Sequence, residues 1–141
     1  MPSNIALKGM NIVHRTLLKV SGGRKGWTAG GMPALELSTT GRKSGEKRAV
    51  MLTSPHQEGD SMLIVASRGG DDIHPAWYLN LQANPAVEVT TKAGTKSMLA
   101  RVLSSDERSE IWPVVVAKYK NYGGYQEKTD REIPLVFLDP A

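Results

Sequence analysis

From Ala34 onward the chain is a succession of short strand-forming runs cut by tight glycine or charged turns, a pattern that excludes long parallel strands and large helical bundles. The runs are Ala34 to Thr39, Lys47 to Thr53, Met62 to Ser67, Val87 to Thr91, Lys96 to Leu103 and Ile133 to Leu138. Their turns are Gly41-Arg42-Lys43-Ser44-Gly45, Glu58-Gly59-Asp60 and Lys92-Ala93-Gly94. Turns this short join antiparallel neighbours. Helices are expected before, between and after the strands. Ala6, Met10, Val13, Leu17 and Val20 recur every three or four residues, opposite Lys8, Arg15 and Lys19, which predicts an amphipathic helix over residues 4–20. Pro75 and Asn84-Pro85 bracket a short second helix. Ser104 or Ser105 caps a third that runs to about Lys120, with Pro113 kinking it or shifting its geometry. The expectation is an α+β domain on a closed or partly closed antiparallel barrel with flanking helices.

At 141 residues, 40% of them hydrophobic, the chain suits one domain, residues 1–141. It has no cysteine, which removes disulfides, thiol nucleophiles and cysteine zinc sites. No apolar run approaches the roughly 20 residues of a membrane span. Lys8, Arg15 and Lys19 interrupt any signal-peptide core, so a cytoplasmic location is expected. The net charge of +4 and a pI near 9.4 point to an anionic partner. Nucleic acid is not expected, since the chain lacks a long basic run, a zinc finger or an aromatic RNA-binding signature. The first helix could pack on the domain, cover a partner subunit in a homodimer, or lie on the inner face of the membrane.

Candidate chemistry gathers where the Met62–Ser67 run ends in Ser67-Arg68-Gly69-Gly70, ahead of His74-Pro75-Ala76-Trp77-Tyr78-Leu79-Asn80. Backbone amides and a cation at a strand end suit an anion, with Trp77, Tyr78 and Asn80 on a short rigid helix beside them. The Gly41–Gly45 segment lacks the Gly-Lys-Ser order of a phosphate loop and precedes a strand, so it is no Walker motif. A solvated hairpin turn is its plain reading; Arg48 just beyond it tips the balance toward anion binding. His14, His56 and His74 lack metal-ligand spacing. Neither paired carboxylates nor a Gly-x-Ser-x-Gly elbow supports hydrolysis, and no histidine is placed to activate Ser67, which is better suited to hydrogen-bonding a ligand. Tyr119, Tyr122 and Tyr125 recur every third residue beside Gly123-Gly124. They pack at a helix end or line a site for a planar substrate.

The segments Thr39–Gly45, Ala66–Gly70, His74–Leu81 with Asn84-Pro85, and Trp112-Pro113 followed by the tyrosines, in this order and spacing, closely resemble the deazaflavin-dependent nitroreductase family. The resemblance covers nearly all of the chain after the first helix. It implies a split β-barrel related to FMN-binding proteins, and actinobacterial enzymes of the cytoplasm or its membrane face. These pass a hydride from reduced coenzyme F420 to quinones, enones or nitroaromatics. It places Arg42, Lys43, Ser44 and Arg48 near the phosphate and acidic tail of the cofactor. Ser67, Arg68 and Gly69 border the ring, with Ala76, Trp77, Tyr78, Leu79 and Asn80 contributing from the short helix. Ala49, Val50, Met51, Leu52 and Thr53 of one strand and Val65 and Ala66 of another complete the cofactor-binding set. Tyr122 lies close to both cofactor and acceptor, Tyr119 and Tyr125 shape the acceptor site, and these three with Ser67 form the expected catalytic set. Where many relatives carry Arg-Val-x-Pro-Leu, this chain has Arg48-Ala49-Val50-Met51-Leu52.

A tail of phosphate and carboxylates accounts for several cations at one edge, more than a mononucleotide flavin needs. Charge-assisted hydrogen bonds contribute about 1.5–3 kcal/mol when sheltered and about 0–1 when exposed. Micromolar binding takes roughly 8 kcal/mol, so ring burial near Trp77 must supply much of it. A phenol with a pKa near 10 stays protonated at neutral pH and can orient or protonate the acceptor. The alternatives are a non-catalytic carrier of a flavin, deazaflavin or tetrapyrrole, and an FMN-dependent oxidase.

Overall fold

A computed structural model describes residues 28–29 and 31–141; the expected helix over residues 4–20 lies outside the described residues. In chain order the elements are β1 (Thr28–Ala29), β2 (Met32–Thr40), β3 (Lys47–Thr53), β4 (His56–Glu58) and β5 (Ser61–Val65). A 3-10 turn, Arg68–Gly70, leads to α1 (Ala76–Ala83), β6 (Ala86–Thr91) and β7 (Gly94–Val102). The chain ends with α2 (Ser105–Lys118), α3 (Asn121–Glu127) and β8 (Leu135–Pro140).

Every strand pair is antiparallel, in the order β1-β2-β6-β7-β8-β5-β4, with β3 on β2. The inward faces follow from the register. Leu35 faces Leu52, and Leu37 faces Val50 on one side and Val89 on the other. Val87 faces Met98, Ala100 faces Leu138, and Val136 faces Ile64. These side chains meet in one core with Trp77, Tyr78 and Leu81 of α1. Among the described residues β3 pairs only with β2, so this barrel is closed by side-chain packing and split between β3 and the far end of the sheet.

β5 and β8 are buried on both faces. Ile64, Val136 and Leu138 point into the barrel, whereas Leu63, Val65, Leu135 and Phe137 join Val115 of α2 and Tyr122 of α3 in a second core. A strand wetted on neither face needs an unbroken apolar run, and Met62–Ala66 and Leu135–Leu138 are such runs. α2 opens on a full capping box, with the Ser104 hydroxyl accepting from Glu107 N at 3.2 Å and the Glu107 carboxylate accepting from Ser104 N at 3.2 Å.

Several boundaries differ from the sequence expectations. α2 stops at Lys118 and continues past Pro113. β5 stops at Val65, β8 is shifted to Leu135–Pro140, and β7 starts earlier, at Gly94. Three elements were not expected, β1, β4 and α3. β4 is a polar triplet with no apolar alternation, formed because it pairs with β5. α3 contains Gly123-Gly124, which disfavours an isolated helix. Packing overrides that preference: a Cβ on Gly123 would come within 3.2 Å of Val116 Cγ1.

Leu35 is fully buried where β2 meets β3 and the barrel core. Leu35→Ala should cost about 2–5 kcal/mol, read as a lower midpoint in urea denaturation with an unchanged slope.

Candidate active site

The hairpin turn between β2 and β3 is tightly closed. Gly41 N donates to Glu46 O at 2.7 Å, Gly45 N to Gly41 O at 2.8 Å, and Gly45 takes φ 72°. Buried Asn80 of α1 reaches into this turn. Its Oδ1 accepts from Arg42 N at 3.1 Å and from Arg42 Nη1 at 3.0 Å, while its Nδ2 donates to Thr39 Oγ1 at 3.2 Å. The Arg42 guanidinium is thus positioned by a neutral amide, and its charge is not cancelled. Lys43 forms no ion pair among the described residues. Lys47 and Arg48 pair with Glu88 and Glu46 at 2.6 and 3.3 Å, but all four side chains are exposed and such pairs are worth about 0–1 kcal/mol. An anion can therefore compete for them. Ser44 caps the turn by accepting from Glu46 N at 3.1 Å.

A second turn follows β5. Arg68 has φ 47°, and Gly69 and Gly70 have φ 66° and 86°. The expected free cation is absent here: Arg68 Nη1 is bound to Asp71 Oδ2 at 2.6 Å, with both side chains almost wholly buried. The turn is held from behind by Arg131, which the sequence reading did not single out. Its guanidinium donates to the carbonyls of Ala66, Ser67 and Asp71 at 3.1, 2.9 and 2.8 Å, and meets His74 Nδ1 at 3.1 Å. The His74 ring lies against Tyr78, centroids 4.8 Å apart. Facing a donor, His74 Nδ1 must accept, so the ring is neutral with its proton on Nε2. Burial first and the Arg131 charge second hold its pKa below the ordinary value.

α3, which carries Tyr122 and Tyr125, lies against this turn. A Cβ on Gly70 would lie 2.6 Å from Tyr125 O, so the backbones of turn and helix touch directly. Tyr122 packs edge-on against Tyr119 and Tyr125 at 6.5 and 5.9 Å. It is buried, with Oη donating to Met32 Sδ at 3.5 Å. Burial raises its pKa, opposed by a hydrogen bond with Thr53 of β3. Tyr119 Oη donates to Gly31 O at 3.5 Å, and Lys128 Nζ sits 5.7 Å from the Tyr125 ring.

The two groups are joined by β3, with Lys47 and Arg48 at the cationic end and Thr53 beside Tyr122. Seven strand residues span roughly 20 Å. Val50 and Leu52 face the barrel core, and Ala49, Met51 and Thr53 the opposite side. Trp77 and Tyr78 are core residues of the barrel end, Leu79 is half-buried against the same core, and Ala76 is exposed. Val65 and Ala66 point to opposite faces, Val65 into the α2–α3 core and Ala66 into the barrel. Apart from its charge and its place after the tyrosines, nothing in the sequence around Arg131 marks it out; its contacts reach back 57 to 65 positions.

His74 ties stability to pH. Because its folded-state pKa lies below 6.5, the unfolded chain takes up this proton first as pH falls. The contribution is intact above pH 6.5 and is lost as pH falls through the lowered value. Thermal melts from about pH 7 to about pH 5 should fall less steeply for His74→Asn than for the wild type.

Comparison with known proteins agrees with this geometry. The profile of the F420H(2)-dependent quinone reductase family matches residues 11–140. An F420H(2)-dependent quinone reductase of Mycobacterium tuberculosis is 37% identical over 130 residues, 89% of this chain and 87% of the relative. A solved F420-H2 dependent reductase, FDR-A, is 42% identical with TM-score 0.66 over 76% of this chain and 94% of its own. A second solved relative, a domain-swapped dimer, is 36% identical with TM-score 0.68 over 93% and 99%. An FMN-binding pyridoxamine 5'-phosphate oxidase-related protein from Nostoc punctiforme, at 14% identity and TM-score 0.50, shares the split-barrel fold. The chain belongs to the F420H(2)-dependent quinone reductase family.

Proposed function

We propose that this protein binds reduced coenzyme F420 along β3 and passes its hydride to a quinone-type acceptor beside the tyrosines. The observation that carries this reading is the Arg42 guanidinium, set by the neutral Asn80 amide with no carboxylate among the described residues to cancel it. With Lys43, which has no ion pair among the described residues, and the loosely paired Lys47 and Arg48 it forms a donor set suited to a multiply charged tail. The span of β3 leaves room for a long ligand, and family membership names the deazaflavin.

In this reading Arg42, Lys43, Ser44 and Arg48 hold the phosphate and acidic tail. Ala49, Met51 and Thr53 line the way to the ring with Val50 and Leu52 behind them on the core face of β3, and Ser67, Arg68, Gly69 and the Ala76–Asn80 helix border it. Bound in its reduced form, the deazaflavin supplies the hydride. The protein's share is to align donor and acceptor and to exclude water. A quinone that gains a hydride still needs one proton to become the hydroquinone. The buried Tyr122 phenol, its pKa raised, stays protonated at neutral pH and orients the acceptor, with Tyr119 and Tyr125 shaping the space around it.

The solved domain-swapped dimer supports a homodimer for this chain too. No helix among the described residues is long and apolar enough to cross a membrane. Peripheral membrane contact through residues 4–20 remains part of the proposal, because a quinone acceptor is an apolar molecule.

The purified protein should oxidise F420H2 in the presence of menadione and leave reduced FMN untouched, with Arg42→Ala raising the F420H2 dissociation constant ~10-fold. Turnover with reduced FMN alone, or tight F420H2 binding without turnover, would replace this reading with the oxidase or the carrier. Tyr122→Phe should lower kcat with menadione about 100-fold if the phenol gives the proton. An unchanged kcat would leave that proton to solvent.

A further inference from the structure

Arg131 sits where three separate segments meet. Its Nη1 and Nη2 grip the Ala66 and Ser67 carbonyls at the end of β5, its Nε grips the Asp71 carbonyl at the far side of the turn, and Nη1 also meets His74 just before α1. These acceptors bracket Arg68, whose φ of 47° is left-handed in a residue that carries a side chain. Such a conformation persists only where its surroundings over-determine it. The Arg68–Asp71 ion pair fixes the turn from within, and Arg131 fixes it from outside.

The anchor is itself braced. Gln126 of α3 donates to Arg131 O at 2.7 Å, and Thr129 Oγ1 accepts from Arg131 N at 3.3 Å. Gln126 Oε1 in turn accepts from Arg108 of α2 and from Ile133 N ahead of β8, both at 2.9 Å. Position and orientation of the guanidinium are thus inherited from the helices that carry the tyrosines. Its hydrogen-bond acceptors among the described residues are three backbone carbonyls and His74 Nδ1, none a carboxylate, so the side chain serves as a planar fork. A lysine would preserve the charge and lose the fork.

We propose that Arg131 is a positioning residue for the cofactor site, locking the Ser67–Gly70 turn to the entry of α1 so that the ring-binding edge is preformed. The cofactor half of this statement rests on the F420 reading above. The clamp itself is readable without any cofactor.

Hydrogen–deuterium exchange of the cofactor-free wild type, Arg131→Lys and Arg131→Gln tests it, together with F420H2 titration by fluorescence. In both variants the peptide over residues 67–74 should lose protection while β2, β5 and β8 keep theirs. The F420H2 dissociation constant should rise about 10-fold or more, with kcat at saturation changed far less. Added methylguanidinium should restore binding to Arg131→Ala, and methylammonium should not. Wild-type exchange and affinity in Arg131→Lys would overturn the proposal. So would loss of protection spread through β5 and β8, which would make Arg131 a general fold stabiliser. Failure of the wild type to bind F420H2 would overturn the functional reading instead and leave the exchange comparison to decide the clamp.

Discussion

Burial of β5 and β8 on both faces is the constraint from which the rest of the architecture follows. Ile64, Val136 and Leu138 require a barrel interior on one side, and Leu63, Val65, Leu135 and Phe137 require a helical layer on the other. A side chain of this size gains roughly 1.5–3 kcal/mol from full burial, so neither face can be left wet. Two layers must therefore meet along the same pair of strands. The end of β5 then lies between α1, which closes the barrel, and α3, which packs outside it, and the Arg68–Gly70 turn emerges at that junction. Gly70 is where the junction is tightest, since only a residue without a Cβ lets the turn touch the backbone of Tyr125.

The cations divide into two kinds that net charge alone does not separate. Arg68, Arg108 and Arg131 are turned inward onto Asp71, backbone carbonyls and Gln126, where they shape the fold. Arg42 and Lys43 keep their charge available at the hairpin, one of them aimed by Asn80. The first kind builds the frame, and the second can meet an anion. A helix-borne amide holding an arginine in a neighbouring turn also means that α1 and the hairpin are set together: displacing α1 would release Arg42 along with it.

Hairpin β2–β3, the short helix bracketed by Pro75 and Asn84-Pro85, and the capped start of α2 were legible because each is signalled within a few residues by turn chemistry, proline or a capping box. α3 was hidden because Gly123-Gly124 argues locally against a helix, and only contact with Val116 and the glycine turn reverses that. β4 was hidden because its stability comes from its partner strand. At the site, Arg42, Lys43 and Asn80 are visible as motif residues, but the sequence marks Arg68 as a cation suited to an anion, whereas the folded turn pairs it with Asp71.

The sequence by itself determined the antiparallel α+β character, the doubly apolar strands, the positions of the glycine turns and, through the order and spacing of its motifs, the family. Those properties are written in local periodicity, turn residues and contiguous signatures. Tertiary structure alone decided which arginines carry usable charge, that Asn80 aims Arg42, that Tyr122 is buried against Met32, and that Arg131 grips the turn. The last three depend on hydrogen bonds or packing between residues 38 to 90 positions apart, and no pattern along the chain encodes such a meeting before it folds.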